Sequence, residues 1–393
     1  MKPIAFVIPW YGVNIPGGAE SLCRNVVQNL HAKGISVEVL TTCVKEFNSN
    51  WNTNHFKQGR YTVNNIPVQR FEVRKRDVTA FNYVNSKLMN SIPISLGEEE
   101  VFLNEMVGSP SLYEYIKSNQ SEYHCFVFIP YMFGTTYWGV KQCPDKSVLV
   151  PCFHDESYAH MKMIKEMTES AKGVIFNSKA EADLAGRIYN ISGKRDIIGM
   201  GIEVESSYTA DSTRFHKKYK IDSDFLLYAG RKDKGKNVDQ LIEYFIKYKN
   251  KRNNDLKLIL IGDGIVFIPD KFVDSIINLG FVPAEDKLDA YSAASLFCNP
   301  SKNESFSIVI MESWLAGTPV LVNSECEVTK NFCIESSGGL YYANSEEFDE
   351  CLDIILANRN LAHQLGLKGK EYVEDNYSWD VITDKYIKFF DKL

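Results

Sequence analysis

Short apolar runs, each stopped by glycine, proline or a polar cluster, recur along the chain. Residues 4–9 (IAFVIP), 36–42 (SVEVLTT), 124–131 (HCFVFIPY), 147–153 (SVLVPCF), the GVIFNS segment and 195–199 (RDIIG) predict one series of buried strands. A second series runs through 225–230 (FLLYAG), 256–262 (LKLILIG), 276–282 (IINLGFV), LFCNP and PVLV. Between the runs the apolar spacing turns helical, as in AESLCRNVVQNLHAKG, SLYEYIKS, VDQLIEYFIKYKN and EDKLDAYSAAS. Further helices are predicted at about 345–358 and 360–374, and YSWDVITDKYIKFF is an amphipathic helix. Strand and helix alternate, which predicts the α/β class with two Rossmann-like βαβ series.

Two stretches lack a clear period. In 43–120, TVNNIPVQRFEVRKRD suggests one or two strands ending in the basic cluster Arg70, Arg74, Lys75 and Arg76, which reads as a solvated face. MGIEVESSYTADSTRFHKKYKIDSD is polar and irregular and predicts a linker, dividing the chain into domains 1–200 and 201–378. SECEVTKNFCIESSGGLYY predicts a turn and a short strand near Gly338 and Gly339.

A chain of 393 residues with 45% hydrophobic and 24% charged residues fits a globular protein of two domains. Its net charge of −6 argues against general nucleic-acid binding. The nine scattered cysteines suggest reduced thiols and a cytoplasmic location. MKPIAFVIPWYG turns polar too soon for a signal peptide, and no run has transmembrane length.

Chemistry concentrates at the predicted carboxyl ends of strands, where open α/β sheets bind ligands. Gly17 and Gly18 open the first helix as GGAE, a turn that admits a close ligand or none. His154 and Asp155 follow the 147–153 run, and His160 is expected one to two turns into the next helix. Arg231 and Lys236 flank a flexible turn before a helix, a good diphosphate clamp or a solvated basic loop. In E304-SFSIVIM-E312, a helix expected over 305–316 has Glu304 at its mouth and brings Glu304 and Glu312 to a similar face. The plainer reading makes Glu304 an N-cap and Glu312 a solvated residue.

G-R-x4-K and E-x7-E at this separation, each after a predicted strand, resemble retaining GT-B glycosyltransferases, in particular glycosyltransferase family four. The resemblance covers residues 1–42, 124–190 and 225–393. It implies two Rossmann-like domains facing across a cleft, with the final helix, about 379–393, crossing back to the N-terminal domain. It places Arg231 and Lys236 on the donor diphosphate, Glu304 on the transferred sugar and Glu312 on the nucleotide ribose. Ser305, Phe306, Ser307 and Ile308 would lie along the donor, and Phe281 and Val282 beside its base. Gly17 and Gly18 would approach the donor phosphates and the acceptor, with Glu20 as the usual acidic residue. His154 would lie beside the transferred sugar. Where the family has Lys-Gly this chain has Lys236-Asn237, and Lys234-Gly235 leaves open which lysine reaches the phosphate.

The implied activity is metal-independent, retaining hexosyl transfer from a nucleoside-diphosphate sugar to a glycan or lipid-linked glycan. Surface polysaccharide or glycoconjugate synthesis is the implied setting. No cofactor or nucleic acid is expected. Peripheral contact at the inner face of the membrane is expected, and the basic cluster would then meet an anionic acceptor or lipid head groups. A catalytically silent GT-B protein that binds nucleotide sugars or serves as a partner subunit is the alternative. An epimerase or phosphorylase of the same fold is a third. A glycosidase has no need of the cation pair.

Overall fold

The structure, a computed structural model, describes residues 1–204 and 209–393. Part of the predicted linker, 205–208, lies outside the described residues. The chain forms two compact units, Met1–Gly201 with Ile382–Leu393, and Ile202–Val381.

The first unit holds β1 (Ile4–Ile8), β2 (Val37–Thr42), β3 (Gly59–Val63), β4 (Ile66–Phe71), β5 (Cys125–Phe128), β6 (Ser147–Leu149), β7 (Gly173–Phe176) and β8 (Lys194–Ile197). They form one sheet in the order β3-β4-β2-β1-β5-β6-β7-β8, parallel except for the β3–β4 hairpin. The second unit holds β9 (Phe225–Ala229), β10 (Lys257–Ile261), β11 (Ile276–Gly280), β12 (Leu296–Asn299), β13 (Val320–Asn323) and β14 (Gly339–Tyr342). Their order is β11-β10-β9-β12-β13-β14, all parallel. Every residue of β1 and of β9 is buried, because helices cover both faces of a central parallel strand.

Each sheet reverses its winding once, between β1 and β5 in the first and between β9 and β12 in the second. Loops leaving the carboxyl ends of such neighbours diverge and open a crevice. The final helix, Trp379–Asp391, buries Ile382, Tyr386, Phe389 and Phe390. In the first unit, Lys194 Nζ donates to the Phe389 carbonyl at 3.0 Å.

Several elements differ from the sequence reading. Helix Ser212–Tyr219 lies in the predicted linker and buries only Phe215, too little for a visible period. Helix Glu327–Ser336 replaces part of the predicted turn. Helices Val78–Met89 and Leu96–Glu105 fill the stretch without a period. The next helix after β6 begins at Lys162, so His160 lies in the turn before it. The basic cluster is not one solvated face. Arg70 is buried, donating to the carbonyls of Tyr11 and Thr42 over the Phe56 ring. Arg74 pairs with Glu105, and Arg76 lies over Trp51 and Phe81. Among the described residues no helix is long and apolar enough to cross a membrane.

Candidate functional site

The crevice of the second sheet gathers the strongest chemistry. After β9 the chain runs through Gly230 and Arg231 to a short turn over Lys234–Lys236 and then helix Val238–Lys251. After β12 it passes Pro300 and a loop before helix Ile308–Leu315. Lys236 Nζ lies 2.7 Å from Glu304 Oε1, with side-chain exposures of 27% and 12%, so the two loops meet through a half-buried ion pair. Lys234 is exposed, and Lys236 is the lysine that pairs with Glu304. The Arg231 side chain is 76% exposed, its Nε 3.5 Å from Asp233 Oδ2.

Asparagines build this geometry. Asn237 has φ 57°, a left-handed backbone that favours glycine and asparagine, so it replaces the glycine of the resembled motif without loss of shape. Its Nδ2 donates to the Pro300 carbonyl at 3.1 Å, tying the lysine turn to the end of β12. Asn323 Nδ2 donates to the same carbonyl at 3.3 Å. Asn299 Nδ2 donates to Ser307 Oγ at 2.9 Å. The sequence reading named Asn237 from its place in the motif and missed Asn299 and Asn323.

Glu304 is not on the helix. Ser307, with φ 94° and ψ 77°, breaks the backbone before Ile308, so the helical period cannot extend back to Glu304. Glu304 and Glu312 are therefore held by different cations. Glu312 accepts from Lys287 Nζ at 2.7 and 2.9 Å and from Tyr291 Oη at 3.0 Å. Burial, then the Glu312 charge, pushes the Tyr291 pKa well up, so it stays a donor. Ser307 makes no side-chain cap bond, and the first N–H groups of helix Ile308–Leu315 point from its mouth. Phe306 is buried against Phe332 and Tyr377, which leaves only its main chain for a ligand. Phe281, after β11, is 78% exposed, whereas Val282 is buried. Lys232, also missed, is buried and donates to the Gly262 carbonyl, and desolvation lowers its pKa.

The first unit has its own crevice. Gly17 has φ 132° and a Cβ there would overlap the Glu20 carboxylate, so the turn needs glycine. Glu20 accepts from Trp10 Nε1 at 2.5 Å, and burial raises its pKa. Gly18 begins helix Gly18–Ala32. His154 follows β6, is one-third exposed and has Nδ1 3.7 Å from Glu156 Oε1. Tyr131 Oη donates to the same carboxylate oxygen at 3.0 Å. His160 Nε2 lies 2.8 Å from Asp155 Oδ1. A pocket of about 460 Å³ beside this segment is lined by Ser91, Ile92, Ile94, Asp155, Glu156 and His160, among others. A cavity of about 1250 Å³ lies at the amino ends of β9, β10 and β11, the edge where such sheets do not place ligands. Gly17, Gly18 and His154 thus belong to the first unit, and the other candidates to the second. Among the described residues no three His, Cys, Asp or Glu side chains are grouped to hold a metal ion.

Two doubly wound domains with ligand chemistry at their reversal points define the GT-B class, and solved structures share that fold. Sucrose-phosphate synthase from Thermosynechococcus elongatus matches with a TM-score of 0.72 at 17% identity, covering 100% of this chain and 99% of that one. HepE of Anabaena, solved in complex with UDP, matches with a TM-score of 0.71 at 15% identity, covering 100% of both chains. The model of the glycosyl transferases group 1 family matches residues 211–372. The lipopolysaccharide 1,2-N-acetylglucosaminetransferase of Salmonella typhimurium is 27% identical over 195 residues, 45% of this chain and 50% of that one. The chain spans about half the length of the curated relatives it matches.

Proposed function

We propose that the protein is a retaining glycosyltransferase that moves a hexosyl group from a nucleoside-diphosphate sugar to a glycan or lipid-linked glycan. The Lys236–Glu304 pair at the β9/β12 reversal carries this reading. A cation and a carboxylate held between two loops are matched to a diphosphate and a sugar hydroxyl. On donor binding Lys236 turns to a diphosphate oxygen and Glu304 accepts from the sugar. Each half-buried group exchanges one hydrogen-bond partner for another, so neither is left unsatisfied. Arg231 is free to swing onto the same diphosphate and stabilise the charge that grows as the glycosidic bond breaks. The helix mouth at Ile308 adds N–H groups to that anion. Glu312 accepts from the ribose hydroxyls. The two cations supply the positive charge, so the reaction proceeds without a metal ion. A leaving phosphate oxygen takes the acceptor proton on the same face, which gives retention.

His154 and the pocket beside it are assigned to the sugar and the acceptor. The lipopolysaccharide relative supports a surface-glycan acceptor. Exposed Tyr83, Met89, Ile92 and Leu96 support peripheral contact with a membrane carrying the acceptor, because Ile92 also lines the pocket. Vesicle sedimentation checks this contact, and no binding to neutral or anionic vesicles removes it. All nine cysteines are unbridged, which supports a reducing cytoplasmic setting.

The deciding experiment is a thermal-shift and sugar-release panel of UDP-, GDP-, ADP- and CMP-sugars with and without EDTA. Stabilisation by one nucleotide with slow, EDTA-insensitive release of sugar is expected. No stabilisation by any of them defeats the donor site and leaves a silent GT-B partner protein.

A further inference from the structure

Ser178-Lys-Ala-Glu181 has the form of a helix capping box, in which the glutamate turns back to the N-cap N–H. The Ser178 half is present, since its Oγ accepts from Glu181 N at 3.2 Å. The glutamate does something else. Glu181 is 1% exposed. Its Oε2 accepts from Asn177 N at 2.6 Å, just past β7, and its Oε1 accepts from Phe153 N at 2.7 Å, past β6. One carboxylate thus joins the carboxyl-end loops of two neighbouring strands, and the residue after Phe153 is His154.

The loop it holds is not a relaxed one. Cys152 has φ 58°, a left-handed conformation that costs a non-glycine residue about 1 kcal/mol or more and persists only where neighbours enforce it. Asn177 Nδ2 donates to Cys152 Sγ at 3.4 Å, a second restraint from the same side. A surface cap needs neither the burial nor the reach across to β6.

We propose that Glu181 is a positioning residue for His154: its carboxylate clamps the Phe153 and Asn177 N–H groups and so fixes the loop that presents the imidazole. This inference rests on the transferase reading, in which His154 stands beside the transferred sugar.

The clamp needs both carboxylate oxygens as acceptors. A protonated carboxyl, or the amide of glutamine, turns one of them into a donor facing an N–H. Burial raises the Glu181 pKa to about 7, opposed by its two backbone bonds and by His154. Its other titratable neighbours are Cys152 and, from the final helix, Tyr386; Cys23 acts on Tyr386 and Glu20 on Cys152. Burial holds the Cys152 thiol and the Tyr386 hydroxyl protonated, so neither competes for the clamp's charge near neutrality. The ionised, clamping form is lost as pH falls through about 7. Folding changes the other way, because the raised pKa means the folded protein favours the proton. Turnover and stability therefore diverge with pH.

Glu181→Gln is the test, with the nucleotide sugar that stabilises the wild type as probe. We expect kcat for sugar release at pH 8 to fall roughly 10- to 100-fold with donor KM unchanged. The melting temperature at pH 8 should fall by no more than about 3 °C. The fall in wild-type kcat below pH 7 should be absent from the variant. Amide exchange in the 150–156 peptide should quicken in the variant and, after correction for intrinsic rates, in the wild type as pH falls through 7. The wild-type exchange measurement stands even if the variant fails to fold. A parallel loss of melting temperature and kcat, or exchange at 150–156 that ignores pH, overturns the proposal. Unchanged kcat with donor stabilisation intact sinks the Glu181 role alone. No donor stabilisation of the wild type sinks the transferase reading, and the role in catalysis with it.

Discussion

The two domains share a plan and differ in how they use their carboxylates. Both sheets reverse beside a central, fully buried strand, and both place acidic residues in the loops and helices beyond. In the first domain Glu181 is buried and Glu20 partly so; they accept from backbone N–H groups and from Trp10 respectively, and desolvation raises both pKa values. Arg24, near Glu20, is tied to the carbonyls of Gly12 and Ile15. In the second domain Glu304 and Glu312 keep partial exposure and each meets a lysine. A carboxylate that holds backbone N–H groups shapes a loop. A carboxylate paired to a partly exposed lysine can exchange that partner for a ligand. On the proposed reading the first crevice presents residues and the second takes up an anion.

The widest test of that contrast is Arg231→Ala. We expect turnover to fall about 10²-fold or more with little change in melting temperature, because the side chain is mostly exposed and acts on leaving-group charge. Near-normal turnover would falsify the anion-binding role of the second crevice. His154→Ala should lower kcat roughly 10- to 100-fold with nucleotide affinity intact. Calorimetry with the nucleotide separates the domains here, since lost affinity in this variant would mean the first crevice also holds the anion.

Glu312→Ala should weaken nucleotide binding about 10- to 30-fold, the effect of losing hydrogen bonds to a charged group. A variant that binds normally would show that Glu312 serves only Lys287 and Tyr291. Asn237 tests the scaffold beneath the pair. Asn237→Ala should cost about 1–2 kcal/mol in urea unfolding, from the left-handed backbone and the lost bond to Pro300. Asn237→Gly should cost less than the alanine, and the reverse order would show that backbone conformation is not the reason for asparagine.

The smallest effect is one of pH. Glu181 has a folded-state pKa of about 7 against an ordinary 4.5, so its contribution to stability is full below 4.5 and lost as pH rises through 7. Between pH 8 and pH 6 it should add on the order of 1 kcal/mol to the first domain, and Glu181→Gln should remove that increment. Equal pH dependence in wild type and variant would place the titration elsewhere.

Much of the architecture was legible because it rests on short-range signals. Buried parallel strands are continuous apolar runs, and LKLILIG or FLLYAG admit little else between their glycines and polar flanks. The spacing of Arg231, Lys236, Glu304 and Glu312 located the second crevice. Helix Ser212–Tyr219 stayed hidden because a single buried side chain makes no period. Arg70 was misread because charge in a sequence signals solvent, whereas here two carbonyls and an aromatic ring meet it in the interior.

The sequence by itself determined where strands and helices alternate, where the chain divides and which motif residues fall at carboxyl ends. Those are local properties, set by side-chain period and by glycine and proline. Only the tertiary structure decided which groups meet. Lys236 and Glu304 are 68 positions apart, and Glu181 and Phe153 are 28 apart. Nothing local distinguishes a glutamate that caps its own helix from one that clamps the neighbouring strand's loop. The choice is made when parallel strands pair and bring their carboxyl ends side by side, leaving each buried donor and acceptor to find a partner there.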